Sequence, residues 1–183
     1  MISRIIIPDA SFFICFIDDI AQPNSLLKIV WNPNFKFVTA NIILSEIKKH
    51  PIDDILEKKL LENLEIFRYH DYGEILKPFL AKIEIKKGEH EVIVISYILN
   101  YKGHDFISIL DDDAPKKYLT RLIPEKQDSI MGTVGFIEIC TSTYSIFEGN
   151  EAISILILIK ASKFRIEERI IDEAIQRVNG AKR

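Results

Sequence analysis

The sequence predicts an α/β protein, a three-layer α/β/α sandwich around a central, mostly parallel sheet. The main observation is that short apolar runs alternate along most of the chain with longer segments of helical periodicity. A second observation concerns residues 4–7 and 106–110, which are rich in apolar side chains on both faces of an extended chain. Such runs are typical of parallel strands that helices cover on both sides.

The predicted elements follow one another from the amino terminus with short connections. The predicted strands cover residues 4–7, 35–40, 64–69 and 106–110. The predicted helices cover residues 12–20, 41–49, 53–64, 72–83, 89–100, 115–122, 132–146, 149–160 and 164–178. Pro23, Asn24 and Ser25 predict a loop, because these residue types favour turns. Pro51 and Gly103 are expected to end the helices that precede them.

The length of 183 residues suits one compact domain with a short helical extension. We expect the domain to span residues 1–148 and the extension to span residues 149–183. No secretory signal is visible, and the longest late apolar run, residues 152–159, is much shorter than the ~20 residues of a membrane helix. Cys15 and Cys140 are expected to be core residues in a reducing compartment. The sequence therefore predicts a soluble, cytoplasmic protein without a membrane partner.

The net charge of −3 restricts how the chain can bind nucleic acid. Proteins that bind mainly by neutralising phosphates usually carry a strong basic excess, which is missing here. Local lysine pairs and bound metal ions would have to supply the positive charge. These pairs are Lys48/Lys49, Lys58/Lys59, Lys86/Lys87 and Lys116/Lys117.

Acidic residues follow two of the predicted parallel strands at the edge where ligands bind in open α/β sheets. Asp9 follows the first strand, and residues 111–113 follow the strand over 106–110. Glu46 and Glu89 lie in helices that can approach the same edge. Carboxylates brought together repel one another unless a cation binds, and carboxylate oxygens with retained water suit Mg²⁺ or Mn²⁺. The pattern leaves two readings open: a metal site, or helix capping and solvated acids.

Two other chemistries are disfavoured by the sequence. There is no cluster of His and Cys at zinc-ligand spacing, and no glycine-rich phosphate loop. A metal-dependent hydrolase of phosphodiesters is therefore the enzyme class that the acidic residues favour, with a small phosphate ester as an alternative substrate.

Five local motifs occur in the order found in the PIN-domain family, over about residues 4–145. Residues 5–11 (IIIPDAS) resemble its opening strand with Asp-x-Ser, and residues 41–48 resemble its helix with one Glu. Residues 88–93 (GEHEVI) are similar to the Gly-Glu-x-Glu-Ala-Ile motif of one subgroup. Residues 109–113 (ILDDD) and 132–135 (GTVG) resemble the strand with Asp-Asp and the Gly-Thr-Leu-Gly turn that follows it. In place of the subgroup's usual Ala-Arg, this chain has Pro115-Lys116-Lys117.

The resemblance implies a role for each matching residue. Asp9, Glu46, Glu89 and Asp112 are the expected catalytic carboxylates. The expected metal ligands are Asp9, Glu46, Glu89, Asp112 and Asp113. The expected supporting residues are Ser11, Glu91, Asp113, Lys117 and Thr133. Since three aspartates stand in a row, the residue that ligates is open among positions 111–113.

The resemblance also implies a function. It predicts an endoribonuclease that uses Mg²⁺ or Mn²⁺ and cleaves RNA phosphodiester bonds. Many members are toxins of toxin–antitoxin pairs, which implies an antitoxin protein as a partner, and we expect a homodimer. The alternative is an inactive PIN-like module that binds RNA or protein. For the helices after residue 148, packing on the domain, dimerisation and partner binding are all open.

Overall fold

The computed structural model describes residues 3–80 and 85–180. Its centre is a sheet of five parallel strands in the order β3-β2-β1-β4-β5. The strands are β1 (Arg4–Pro8), β2 (Phe35–Thr39), β3 (Leu64–Ile66), β4 (Phe106–Ile109) and β5 (Ile130–Met131). Helices flank this sheet, which confirms the predicted α/β/α sandwich. All strand pairs in the described residues are parallel.

Ten α-helices are found in the described residues. They are α1 (Ala10–Ile14), α2 (Pro23–Val30), α3 (Asn41–Ile47), α4 (Asp54–Leu61), α5 (Gly73–Leu80), α6 (Gly88–Tyr101), α7 (Asp113–Leu122), α8 (Thr133–Ser142), α9 (Gly149–Ala161) and α10 (Glu168–Gly180). A π-helical turn, Cys15–Asp19, continues α1, and 3-10 turns occupy Tyr69–Tyr72 and Pro124–Ser129. The predicted helix over 72–83 extends in part outside the described residues.

Helices cover both faces of the sheet. Ser108 of β4 hydrogen-bonds Ser96 of α6 over 2.7 Å, which places α6 on the face that Ser108 points to. Neighbouring strand residues point to opposite faces. On the other face, Phe37 of β2 stacks on Phe12 of α1 and meets Phe136 of α8 edge to face. The strands are therefore covered on both sides, as the apolar runs predicted.

The structure differs from the sequence predictions at several elements. The predicted loop at residues 23–25 is the first turn of α2, because Pro23 occupies the first helical position, where no backbone donor is needed. Strand β5 is only two residues long, too short for an alternating pattern to reveal. Helix α10 begins at Glu168 and not at residue 164, so residues 163–167 form an irregular connection.

The helices after residue 148 pack on the domain. Ala152, Leu156 and Ile159 of α9 and Ile171 and Ala174 of α10 belong to the same buried cluster as the sheet residues. Both helices contact α8. Of the three roles that were open for this extension, packing is therefore observed. Within the described part of the chain, no helix is long and apolar enough to cross a membrane.

Candidate active site

Two aspartates meet at the carboxyl edge of the sheet, where β1 and β4 lie side by side. Pro8 of β1 pairs with Ile109 of β4, and the Asp9 amide donates to the Ile109 carbonyl over 3.0 Å. In the sheet, β2 and β3 lie on the far side of β1, and β5 lies on the far side of β4. The chain therefore leaves β1 and β4 in opposite directions. The aspartates, Asp9 and Asp111, are called the acid pair below. They lie at the switch point where open α/β sheets bind ligands.

Each member of the acid pair is held by the start of a helix. The Asp9 carboxylate accepts a hydrogen bond from the Phe12 amide over 3.2 Å and thereby caps α1. The Asp111 carboxylate accepts two bonds from Thr133, one from the amide over 2.8 Å and one from the hydroxyl over 2.7 Å. The two aspartates therefore bind the starts of helices and also lie close to each other. A helix amide sets the orientation of each carboxylate.

The surroundings of the acid pair disfavour two negative charges. Asp9 is only 6% exposed. Burial and the neighbouring charge of Asp111 together raise the pKa of Asp9 to about 8, against hydrogen bonds from Ser11, Phe12 and the Asp111 backbone that lower it. Burial also raises the pKa of Asp111, and the bonds from Thr133 and the charge of Lys116 oppose that shift. The side chains around the acid pair therefore supply too little positive charge to balance two ionised carboxylates.

A cavity of about 470 Å³ opens beside the acid pair and is called the first cavity. Its lining includes carboxylates and cationic or imidazole side chains from several elements. The carboxylates are Asp19, Glu46, Asp111 and Asp112, and the other group comprises Lys49, His50, Lys163 and Arg165. Ala10 and Ser11, which follow Asp9, also line it. The lining of the first cavity therefore brings acidic and basic side chains together.

Glu46 lies on the first cavity in the position that the helix motif predicted. One oxygen of its carboxylate accepts a hydrogen bond from the Gly88 amide at the start of α6, over 3.1 Å. Gly88 has no side chain, and a Cβ there would lie 2.5 Å from the other Glu46 oxygen. The glycine of the GEHEVI segment therefore lets the Glu46 carboxylate lie against the helix start.

Glu91 is a structural residue in this protein. Its side chain is fully buried, and one oxygen accepts bonds from the amides of Ile42 and Ile43, each over 2.9 Å. The other oxygen accepts a bond from the Tyr69 hydroxyl over 3.2 Å. Burial raises the pKa of Glu91, and burial together with the Glu91 carboxylate raises the pKa of Tyr69 to about 12. Glu91 thus joins the starts of α3 and α6 and positions the helix that carries Glu46.

Replacing Glu91 with Ala is expected to lower the free energy of unfolding by roughly 2–4 kcal/mol, because two buried amides and a buried hydroxyl lose their acceptor. Glu91→Gln keeps an oxygen for the amides and should cost less than half as much. Urea unfolding followed by circular dichroism measures both values. Equal stability of Glu91→Ala and wild type would show that water replaces these bonds.

The remaining predicted residues lie further from the acid pair. The Glu89 side chain is 22% exposed, interacts with Lys87 and His90, and does not line the first cavity. Asp112 lines that cavity but is exposed, whereas Asp113 is exposed and pairs with Lys117 over 3.2 Å. Asp9 and Asp111 therefore lie together, and Glu46 and Asp112 line the adjoining first cavity. Glu89 and Asp113 do not line that cavity.

The donor set fits a hard divalent cation. Mg²⁺ keeps several waters and is usually held by one or two carboxylates, and the acid pair supplies two carboxylates that lack a balancing cation. Within the described ranges, no three His, Cys, Asp or Glu side chains form a closer group that could hold a metal ion. The arrangement therefore suits an ion that remains largely hydrated and does not suit a closed, zinc-like site.

Several residues at the site were not predicted from the sequence. Asp111 is the first of the three aspartates after the apolar strand. That position is the only sequence feature that could have distinguished it from Asp112 and Asp113. Lys163 and Arg165 reach the site from the connection between α9 and α10, where charged and apolar residues alternate. Lys116, rather than the predicted Lys117, is the lysine whose charge acts on Asp111.

Comparisons of this chain with protein-family models, with curated proteins and with solved structures found no match. Its relation to the PIN-domain family therefore stays a prediction from the five motifs.

Proposed function

We propose that this chain is a divalent-metal-dependent endoribonuclease. The observation that carries the proposal is the acid pair: the buried Asp9 and the half-buried Asp111 follow adjacent parallel strands, a helix amide fixes each carboxylate, and each has a raised pKa. Structural proteins have no need to place two like charges side by side in such a site, and perturbed carboxylates beside a cavity are typical of functional sites. A cation would remove the electrostatic cost and turn the pair into a catalytic centre.

The roles of the residues follow from their contacts. Asp9 and Asp111 would hold the ion, which on binding supplies positive charge at the phosphate and activates water for attack. Thr133 orients Asp111, and Ser11 orients Asp9. Glu46, held by the Gly88 amide on the cavity wall, would orient the attacking water or accept its proton. Lys116 and the other cations at the site would bind the phosphate groups of the substrate.

RNA as the substrate rests on the resemblance to the PIN-domain family. The five motifs occur in order, and residues from four of them, Asp9, Glu46, Asp111 and Thr133, lie at the carboxyl edge of the sheet or on the adjoining cavity. The same resemblance supports a toxin with an antitoxin protein as its partner, and we further propose a cytoplasmic location and a homodimer. Light scattering of the purified protein, alone and after co-expression with a small neighbouring reading frame, tests the dimer and the antitoxin partner.

A non-catalytic PIN-like module that binds RNA or protein is the second candidate. One observation favours it: both oxygens of Asp111 already accept bonds from Thr133, so the carboxylate has a complete structural role without a metal. Such a module would bind RNA without cleaving it, and would show no stabilisation by Mg²⁺ or Mn²⁺.

The decisive experiment is cleavage of end-labelled RNA by the purified protein. We expect cleavage with Mg²⁺ or Mn²⁺ and none with EDTA, and the activity should return when metal is added back. Structured and unstructured RNA are compared, and a small phosphate ester is included. Turnover of the ester without cleavage of RNA would replace the nuclease with a phosphatase. If both substrates stay intact while metal fails to raise the melting temperature, the proposal is wrong.

A further inference from the structure

The connection between α9 and α10, residues 163–167, lies beside the site. Its side chains alternate in exposure: Lys163, Arg165 and Glu167 are exposed, and Phe164 and Ile166 are half-buried against the core. Within it, the Ile166 amide donates to the Phe164 carbonyl over 3.1 Å, which makes a tight turn at Arg165. Phe164 and Ile166 thus attach the segment to the domain, while Lys163 and Arg165 are left to line the first cavity.

Polar contacts hold the segment across the first cavity. The Lys163 ammonium donates to Asp18 over 3.0 Å and lies 3.8 Å from Asp19, both in the π-helical turn after α1. His50, beyond the end of α3, contacts the same Asp18 oxygen over 2.9 Å. At the start of the segment, the Ser162 hydroxyl accepts a bond from the Phe164 amide over 3.1 Å. The backbone of the segment is therefore fixed relative to the acid pair.

Arg165 lies between two cavities. A second cavity, of about 380 Å³, is lined by residues that include Lys116, Gly132 and Glu138. The two cavities share three lining residues, Asp111, Asp112 and Arg165, so they lie side by side. One of these three belongs to the acid pair. The two cavities therefore meet at Asp111, Asp112 and Arg165, and together they are called the groove.

Arg165 is also a free cation of this groove. Lys163 is neutralised by Asp18 and Asp19, and Arg177 in the second cavity pairs with Glu138 over 2.6 Å. Within the described parts of the chain, the exposed Arg165 side chain has no ion-pair partner. Lys49 and Lys116 share this property, but Lys49 lines the first cavity only and Lys116 lines the second cavity only. An unpaired guanidinium that lines both cavities beside two aspartates suits a ligand that carries its own negative charge.

We propose that Arg165 binds the backbone phosphate next to the one that is cleaved, and that single-stranded RNA lies in the groove across both cavities. This inference rests on the proposed nuclease function. The guanidinium fork matches two phosphate oxygens, and Arg165 places it where the two cavities meet. The recessed acid pair excludes the backbone of a rigid duplex and admits a strand whose bases are unstacked.

The test measures binding of a fluorescent single-stranded RNA at several salt concentrations. Binding is measured with Mg²⁺ in an Asp9→Asn background, in which the RNA should remain intact. Adding Arg165→Ala is expected to weaken binding about tenfold at low salt. The slope of log K against log salt should fall by about 0.7, the value for one lost phosphate contact on a single strand. Arg165→Lys keeps the charge without the fork, so it should restore the slope and only part of the affinity.

Arg121→Ala is the matched control, because Arg121 is exposed and lines neither cavity. Its affinity and slope should equal those of the Asp9→Asn protein. In the otherwise wild-type chain, Arg165→Ala should raise KM for RNA with little change in melting temperature. If the wild type cleaves RNA and Arg165→Ala behaves like Arg121→Ala, the groove is refuted and the nuclease stands. If the wild type neither binds nor cleaves RNA, both proposals fail.

Discussion

Asp111→Asn is expected to reduce metal-dependent RNA cleavage on the order of 100-fold or more. The change removes one charge of the acid pair, and with it a cation whose stabilisation of the phosphate is worth several kcal/mol. The Asn oxygen still accepts the Thr133 amide, and the Thr133 hydroxyl accepts from the new amide group, so α8 keeps its anchor. Rates of cleavage at saturating Mg²⁺ or Mn²⁺ measure the effect, and circular dichroism verifies the fold.

Asp113→Asn is the matched control for this variant, with the same change of charge two residues away. Asp113 is exposed and pairs only with Lys117 in the described residues, where a surface ion pair contributes little. Its cleavage rate should stay within about threefold of wild type, since the charge lies in water. A result in which Asp113→Asn loses activity and Asp111→Asn keeps it would assign the metal to the exposed aspartate instead.

Asp9→Asn is expected to stabilise the metal-free protein, and increasingly so as the pH rises. In the folded protein burial and Asp111 raise the pKa of Asp9 from 3.8 to about 8. In the unfolded chain the group titrates near its ordinary value. Well below pH 3.8, the Asp9 carboxyl is protonated in both the folded and the unfolded state, so folding buries no charge. Between the two values, the folded state holds a proton that the unfolded state has lost, so the stability of wild type falls as the pH rises.

The Asn side chain does not titrate, so the variant escapes this loss. The difference in free energy of unfolding between Asp9→Asn and wild type should grow by roughly 2–4 kcal/mol from pH 5 to pH 8, at about 1.4 kcal/mol for each pH unit and allowing for coupling to Asp111. The Asn oxygen still accepts from the Phe12 amide, so the cap of α1 is kept. Urea unfolding in EDTA at several pH values gives the curve.

Asp53→Asn provides the comparison, because Asp53 makes the same kind of cap at α4 from an exposed position. Its difference from wild type should be independent of pH over that range. Mg²⁺ adds a second comparison, since it should stabilise wild type at pH 8 and leave Asp9→Asn unchanged. A difference between Asp9→Asn and wild type that does not change with pH would show that the acid pair is not under electrostatic strain.

Much of the fold could be read from the sequence because its signals are local. Apolar runs that reach both faces indicated covered parallel strands, and Gly103, which has a positive φ, ended its helix as expected. The failures have local causes as well. Pro23 fits a first helical turn as well as a loop, and the two residues of β5 are too few to show a pattern.

The site was only partly predictable for a different reason. Asp9 and Thr133 follow strands and lie at helix starts, and Glu46 lies in the helix that follows β2, so the geometry of a parallel sheet brings them to one edge. Glu91 carries the same signal, yet its carboxylate turns inward to the α3 amides. A spacing in sequence indicates that an acid is near the edge but does not determine which atoms its oxygens meet.

The sequence by itself determined the layered α/β architecture and the edge of the sheet where acids gather. Both depend on side-chain periodicity and strand order along a single chain. Only the tertiary structure decided that Asp111 is the partner of Asp9, that Glu91 is structural, and that residues 163–167 bring Arg165 to the site. Those outcomes depend on contacts between elements far apart in sequence, where the packing of helices selects one of several neighbouring side chains.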